Sequence, residues 1–330
     1  MTDTQRVSLR VLFLGTPVFA LPSLHALAEV TTLVGVVTQP DRPAGRGRKP
    51  VAPPVAAAAR ALGVPVLQPE RLRSASTVEA LAHLSPDLIV TVAYGRIIPA
   101  AVLALPPRGC INLHPSLLPA YRGASPIERA VADGATATGV TIMYLTEEID
   151  AGDIILQREI AIGPEEAAGE LEDRLAREGA TLLVEAVRLI ARGEAPRRPQ
   201  DHSRAAYVGR LSKADGQVDW NRPAPHLVNH VRAMNPWPSA YTVWRGGLLK
   251  IWRARVAGGA GGGPPGLVLA AGEDGITVAA GEGALVLLEV QAEGGRRLPA
   301  GEFLRGHPIR PGDRLGESAA ARGSLPEMVE

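Results

Sequence analysis

Short apolar runs rich in valine, leucine and isoleucine alternate with amphipathic stretches through the first half of the chain. Val7 to Leu14 predicts a strand, Gly15-Thr16-Pro17 a turn, Phe19 to Glu29 a helix, and Thr32 to Thr38 a second strand. A βαβ unit of this kind predicts a parallel sheet with right-handed crossovers. The alternation continues with helices at Val55 to Leu62 and Val78 to Leu84, and strands at Val64 to Leu67 and Asp87 to Ala93. A short helix at Pro99 to Leu103 precedes a central strand at Cys110 to His114. Ser125 and Pro126 have the character of an N-cap and first helical residue for a helix ending at Asp133. Strands follow at Gly139 to Tyr144 and Asp153 to Glu159, the second antiparallel. The strongest periodicity lies in Pro164 to Arg192, where Leu171, Leu175, Leu182, Ala186 and Leu189 share a face and Gly179 marks a potential break.

After Arg192 the pattern changes. A polar, proline-containing segment leads into a glycine-rich region with strand-like runs at Thr242 to Trp244, Leu248 to Arg255, Gly266 to Ala270, Gly275 to Ala279 and Ala284 to Val290, and one helix at Val228 to Met234. This predicts a small β-barrel. The expected organisation is a catalytic domain over residues 1–193, a linker over 194–206 and a second domain over 207–330, and 330 residues suit two domains.

Composition narrows the class. The net charge is +1, so any nucleic-acid contact must come from local patches. Arginine dominates the cations, with lysine only at 49, 213 and 250. The single cysteine, Cys110, excludes an internal disulfide and suits a reducing compartment. At the start of the central strand it reads as a buried, inert thiol. No apolar stretch approaches a membrane span, and Met1 to Arg10 lacks the character of a signal peptide. The expectation is a cytoplasmic, monomeric protein without membrane attachment. Gly15 stands alone at the first turn, where a dinucleotide site needs three spaced glycines.

The candidate chemistry lies in Asn112-Leu113-His114-Pro115-Ser116-Leu117-Leu118-Pro119. At a strand end, Asn112 and His114 face one side and Leu113 points into the core. Pro115 ends the ladder because it has no N–H. An amide beside an imidazole can polarise a carbonyl and stabilise the oxyanion it becomes. A carboxylate such as Asp150, in Asp150-Ala151-Gly152-Asp153, can orient the imidazole or move protons through water. His226 with His230 lacks a third ligand, and no metal is called for.

The run Asn-x-His-Pro-Ser-Leu-Leu-Pro followed by Asp-x-Gly-Asp resembles the formyltransferases that use 10-formyltetrahydrofolate. The resemblance implies a Rossmann-like α/β catalytic domain, mostly parallel with helices on both faces, and a C-terminal OB-like barrel. It implies catalysis by Asn112, His114 and Asp150, and folate contact by Ser116, Leu117, Leu118 and Pro119. Gln39 to Lys49 is similar to the insertion loop of the family members that formylate Met-tRNA. In them the loop enters the acceptor end, with an arginine at the place of Arg46. Arg42, Arg46, Arg48 and Lys49 face only Asp41 in this segment. Residues 221–272 hold six cations and no acid, with Trp237, Tyr241, Trp244 and Trp252 interleaved. Arg232, Lys250 and Arg253 are the expected tRNA contacts there, and the tryptophans are expected in the core. Arg232 to Pro238 is also similar to a family signature.

The resemblance covers Val11 to about Arg255. It implies transfer of a formyl group from 10-formyltetrahydrofolate to the methionine amino group of initiator Met-tRNA. A relative acting on a small amine, or hydrolysing the folate, would keep the three catalytic residues without the basic loop. A non-catalytic RNA-binding protein would not need the three residues.

Overall fold

The computed structural model describes residues 6–44, 49–259 and 261–316. The chain divides into two compact units. The first comprises Met1–Pro126, Ala137–Ala161 and Leu171–Gly209, and the second Ile127–Thr136, Ile162–Glu170 and Arg210–Glu330. Two segments within 1–193 therefore group with the C-terminal residues.

The elements of the first unit open with β1 (Arg10–Gly15), α1 (Leu21–Val30) and β2 (Thr32–Val37). Then come β3 (Arg42–Ala44), β4 (Lys49–Val51), α2 (Pro54–Ala61), β5 (Val66–Leu67), α3 (Ala75–His83) and β6 (Leu88–Val92). The chain continues through α4 (Ala100–Leu103), β7 (Cys110–His114), β8 (Arg122–Gly123), α5 (Pro126–Ala132), β9 (Ala137–Tyr144), β10 (Ile154–Ala161), α6 (Ala168–Arg192) and β11 (Tyr207–Val208). The boundary between the units falls inside α5 and again inside α6.

Seven strands form one sheet in the order β10-β9-β7-β6-β1-β2-β5. Strands β5, β2, β1, β6 and β7 pair in parallel, and β9 and β10 add on antiparallel. This is the expected mostly parallel α/β sheet. β6 is buried at every position, which suits its aliphatic sequence, with Thr91 the one exception. Leu12, Leu14, Val37, Leu81, Ile89 and Val102 pack together with Cys110 on one side of the sheet. Burial pushes the Cys110 thiol up to about 12, so it remains protonated.

Three local differences from the sequence expectation have physical causes. The segment from Gln39 to Lys49, likened to an insertion loop, enters an antiparallel ribbon in which Arg42, Pro43 and Ala44 face Val51, Pro50 and Lys49. Its prolines and glycines concealed strand character, since they weaken any strand signal. α6 begins at Ala168, because Glu170 accepts the Ala167 N–H at 2.8 Å and closes the turn. The helix then runs through Gly179 without a break. A Cβ at Gly179 would lie 2.7 Å from Leu113 Cδ1, so the glycine lets α6 sit against the central strand. Finally, the segment expected to be a linker docks along the first unit. Arg198 exchanges backbone bonds with Ile154, at 2.8 and 3.1 Å, and Gln200 is only 5% exposed.

The second unit contains α7 (Ala224–Ala233), β12 (Ala240–Trp244), β13 (Gly247–Val256), β14 (Val268–Gly272), β15 (Gly275–Ala279), β16 (Ala284–Ala292), β17 (Leu298–Pro299) and α8 (Ala300–Gly306). Its antiparallel sheet runs β12-β13-β16-β15-β14, with β17 on β16. The strand path is open between β12 and β14. The segment Asp313 to Gly316 lies there instead: Val268 N donates to Asp313 O at 2.8 Å, and Gly316 N donates to Val243 O at 2.8 Å. Leu249, Ile251, Val278, Leu285, Leu287 and Phe303 are buried in this unit. No helix among the described residues is long and apolar enough to cross a membrane.

Gly179→Ala tests the packing of α6. Alanine favours a helix by about 1 kcal/mol over glycine, but overpacking a core costs about 1–3 kcal/mol. The expected outcome is a net loss of stability, read as a lower denaturation midpoint with an unchanged m-value.

Candidate active site

The end of β7 places Asn112 and His114 on one face, and Leu113, 2% exposed, on the other. Asn112 Oδ1 accepts from Thr91 Oγ1 at 2.6 Å. Thr91 is the one polar residue of β6, and its bond to Oδ1 leaves the amide nitrogen turned away from it. Asn112 Nδ2 then has no partner among the described residues, and the side chain is half-buried. It is a free N–H donor at the strand end.

His114 is 4% exposed, and both ring nitrogens face acceptors. Nε2 lies 2.9 Å from Tyr121 O, so it must be the protonated nitrogen, because a carbonyl cannot donate. Nδ1 faces Asp150 Oδ2 at 3.6 Å. That oxygen accepts the Gly123 N–H at 2.8 Å, while Oδ1 has no partner among the described residues. A carboxylate so placed stabilises the ring when Nδ1 takes up a proton. The three residues singled out in the sequence are therefore gathered within one face of the first unit.

The backbone around them is unusual. Tyr121 and Asp150 both have positive φ, 57° and 51°, in a region that side-chain-bearing residues seldom occupy. Gly123 has φ 110°, and a Cβ there would collide with Val208 O across the β8–β11 pair. A Cβ at Gly152 would run into Tyr144 O, which explains the glycine in Asp-x-Gly-Asp.

The Ser116 to Pro119 loop divides into anchoring and open positions. Ser116 is fully buried, and its hydroxyl donates to Ala120 O at 2.6 Å. Thr141 Oγ1 donates to Ser116 O, and Gln157 Nε2 donates to Leu118 O at 2.8 Å. Leu118 is 4% exposed and packs with Met143 and Ile154. Leu117 and Pro119 are half-buried, so they are the members able to meet a ligand.

Sequence reasoning passed over Arg122 and Gln200. Both are buried beside the site, and Gln200 Nε2 donates to Asp150 O and Gly152 O at 2.9 and 2.8 Å. Gln200 fell within the expected linker, and a side chain acting on backbone carbonyls leaves no periodic signal.

Known proteins resemble this chain along nearly its whole length. A family model described as formyl transferase matches residues 9–187, and one for the formyl transferase C-terminal domain matches 210–308. Methionyl-tRNA formyltransferase of Citrifermentans bemidjiense is 46% identical, covering 96% of this chain and 99% of the relative. That of Pelotomaculum thermopropionicum is 49% identical, covering 94% and 100%. The chain belongs to the methionyl-tRNA formyltransferase family. More distant solved structures share the fold. HypX from Aquifex aeolicus in complex with tetrahydrofolic acid superposes with TM-score 0.60 at 22% identity, covering 94% of this chain and 51% of that one. The sugar 3N-formyl transferase WlaRD gives 0.63 at 15% identity, covering 84% and 97%.

For a member of the methionyl-tRNA formyltransferase family, the fate of the expected RNA-contacting cations matters. Arg42 is exposed and donates to Gln39 Oε1 at 2.7 Å. Arg46 and Arg48 lie outside the described residues, and Lys49 is described only as backbone of β4. Lys250 is half-buried, with its ammonium 5.6 Å from the Trp252 ring. Arg253 is exposed, 3.4 Å from the exposed Glu165. Arg232 is tied to the protein itself. Its Nη1 donates to Gly163 O and Pro164 O at 2.9 and 2.8 Å, and Nη2 donates to Asn229 Oδ1 at 2.9 Å. Burial lowers its pKa, with Glu166 opposing the shift. Most of the guanidinium's donors are thus engaged by the protein's own carbonyls and amide. The tryptophans also divide: Trp237 is 52% exposed, Trp244 and Trp252 are half-buried, and Trp220 is 5% exposed with its N–H on Thr242 Oγ1.

Arg232→Met is expected to destabilise the second unit by about 1–3 kcal/mol, because it strands hydrogen-bonded carbonyls. Thermal denaturation should show the loss, while RNA affinity of the folded variant should stay near wild type. A folded variant with unchanged stability and weakened RNA binding would return Arg232 to the RNA surface.

Proposed function

We propose that this protein transfers the formyl group of 10-formyltetrahydrofolate to the free amino group of methionine on initiator Met-tRNA, giving formyl-Met-tRNA for translation initiation. The observation that carries the reading is the free Asn112 Nδ2 donor beside the His114–Asp150 pair. It stands on a chain related over nearly its whole length to methionyl-tRNA formyltransferases. The folate supplies an activated formyl carbon. Asn112 Nδ2 is available to donate to the oxygen of that carbon as it becomes an oxyanion, without breaking an existing bond. His114 is held by Tyr121 O, so its part is with Asp150 in proton handling rather than as a second oxyanion donor. The amine nitrogen bonds to the formyl carbon, and the bond from that carbon to the folate nitrogen breaks. The proton lost by the amine passes through the His114–Asp150 pair to the departing nitrogen. The open Oδ1 of Asp150 suits the first step of that transfer.

Leu117 and Pro119 are the parts of the 116–119 loop suited to folate, with Ser116 and Leu118 holding its shape. Residues 1–193 serve as catalytic domain and 207–330 as an RNA-binding domain of OB-like kind. Arg42, Arg46, Arg48 and Lys49 act at the acceptor end, while Lys250 and Arg253 add phosphate affinity. The protein acts as a cytoplasmic monomer, with no membrane partner. Mixing it with 10-formyltetrahydrofolate and Met-tRNA, and assaying formyl-methionine, tests the reading. Formylation of a small amine alone, or hydrolysis of the folate alone, would replace it.

Asn112→Ala and His114→Ala are each expected to lower kcat by about two to three orders of magnitude while the protein stays folded. Asp150→Asn should lower turnover with folate affinity largely intact and alter the pH–rate profile. Near-wild-type kcat in a folded variant removes that residue from the mechanism.

For the RNA, Arg46→Ala should impair formylation of initiator Met-tRNA and leave folate binding unaltered. Arg253→Ala should act mainly through affinity, reducing the slope of log affinity against log salt by about one. Formylation measured across salt on initiator and elongator Met-tRNA separates the two roles. Wild-type formylation by Arg46→Ala at every salt concentration would show that the loop does not read the RNA.

A further inference from the structure

We infer that Arg122 and Gln200 are positioning residues for the reaction, holding Asp150 against His114 through a closed ring of hydrogen bonds. The inference rests on the formyl-transfer reading for its catalytic consequence and on geometry for the ring itself. Arg122 is 1% exposed and heads the largest fully buried side chains of the chain. No carboxylate pairs with it among the described residues. Its Nε and Nη2 donate to Gln200 Oε1 at 3.2 and 2.7 Å, and Nη1 donates to Tyr207 OH at 3.0 Å. His202 Nδ1 lies 3.4 Å from Nη2, and the Tyr207 ring centroid 5.7 Å from Cζ. A buried cation satisfied only by neutral acceptors is costly, so its retention calls for a reason beyond stability.

The reason lies in what the guanidinium does to Gln200. Arginine has donors only, so the amide must present its oxygen to Arg122. The amide nitrogen is thereby forced the other way, where Asp150 O and Gly152 O both accept from it. The next residue after Arg122, Gly123, donates its backbone N–H to the Asp150 carboxylate. The ring thus runs from the Asp150 carboxylate to Gly123, through Arg122 and Gln200, and back to the Asp150 carbonyl. Asp150 is held at both its backbone and its side chain, in a left-handed conformation that persists only where its surroundings over-determine it.

Gln200→Glu tests this with an almost isosteric change. The new carboxylate keeps its acceptor toward Arg122 and gives that cation an ion pair, so folding should be preserved. It also sets an acceptor against the Asp150 and Gly152 carbonyls and releases the loop. The expected result is a kcat lower by about ten- to a hundredfold, as a misplaced catalytic group gives. KM for both substrates should change little, and the melting temperature should not fall. Independently of activity, hydrogen exchange at the Gly123 amide should quicken about tenfold, while the amides of β6 keep their protection. Arg122→Lys keeps the charge but loses the fork, and should show the same split; it carries the test if Gln200→Glu does not fold. Wild-type kcat, or unchanged Gly123 exchange, in the folded variant would overturn the inference. A wild-type protein that transfers no formyl group, yet whose Gly123 exchange responds as expected, would instead overturn the activity reading and with it the catalytic half of the inference.

Discussion

The direction of one carboxylate governs the site of the first unit. Asp150 follows β9, whose last residue, Tyr144, pairs with Ile111 near the start of β7. His114 lies at the other end of β7, three residues or about 10 Å along the strand. The chain must therefore double back after Tyr144 to bring Asp150 to His114. The turn is made tight by the Tyr144 N–H bond to Asp153 O at 2.9 Å, with Gly152 pressed against Tyr144 O. It ends with Asp150 at φ 51°, where the Gly123 N–H meets its carboxylate. The parallel β8–β11 pair fixes the strand that carries that N–H. An error at any of these points would separate the carboxylate from the imidazole.

Beside this imidazole–carboxylate pair stands an amide–hydroxyl pair, and the two are built differently. Thr91 faces Asn112 across the parallel β6–β7 ladder, so the amide is held by an adjacent strand at the middle of the sheet. A hydroxyl inside an otherwise aliphatic buried strand would be a liability without partners, but Thr91 has both Ile111 O and Asn112 Oδ1 within reach. The proposed oxyanion donor thus rests on a strand inside the sheet, paired on both sides. In the proposed proton-handling pair, Asp150 rests on a turn and is tied to its partners by single hydrogen bonds. For the reaction proposed above, a donor held on a strand beside a proton route built on turns suits acyl transfer, where charge placement sets the barrier.

Sequence conveyed the parts of this design that are stated in side-chain type and period. The Asn-x-His spacing, the buried run of β6 and the amphipathic α6 were readable because strands repeat every two residues and helices every 3.6. The Asp150 pairing was reached only through resemblance, since nothing in the spacing of residues 114 and 150 brings them together. Arg122, Gln200 and the Gly123 N–H were not readable. Gln200 binds backbone carbonyls, the Gly123 N–H is itself a backbone group, and Arg122 meets side chains far along the chain, so folding alone makes these partners adjacent. Nor did the sequence show that the carbonyls of Gly163 and Pro164 would come beside Arg232, a cation read only among its sequence neighbours.

Charge shows the same limit of linear reading. Residues 221–272 contain no acid, yet in the folded second unit acids arrive from elsewhere in the chain. Glu165 stands 3.4 Å from Arg253, and Glu289 faces Arg253 across the sheet while binding Arg297 at 2.6 and 2.7 Å. The two acids are not equivalent toward a polyanion. Glu289 is held by a two-bond fork with Arg297, which itself stacks 4.9 Å from the Trp252 ring centroid. Glu165 is 86% exposed and meets Arg253 through one long contact, a pair worth little in water and weakened further by salt. A phosphate can therefore displace Glu165 from Arg253 at small cost, whereas Arg297 is committed to the fold. Of the cations on this sheet, those held loosely are the ones suited to RNA, and looseness is a property of the folded surroundings rather than of the residue type.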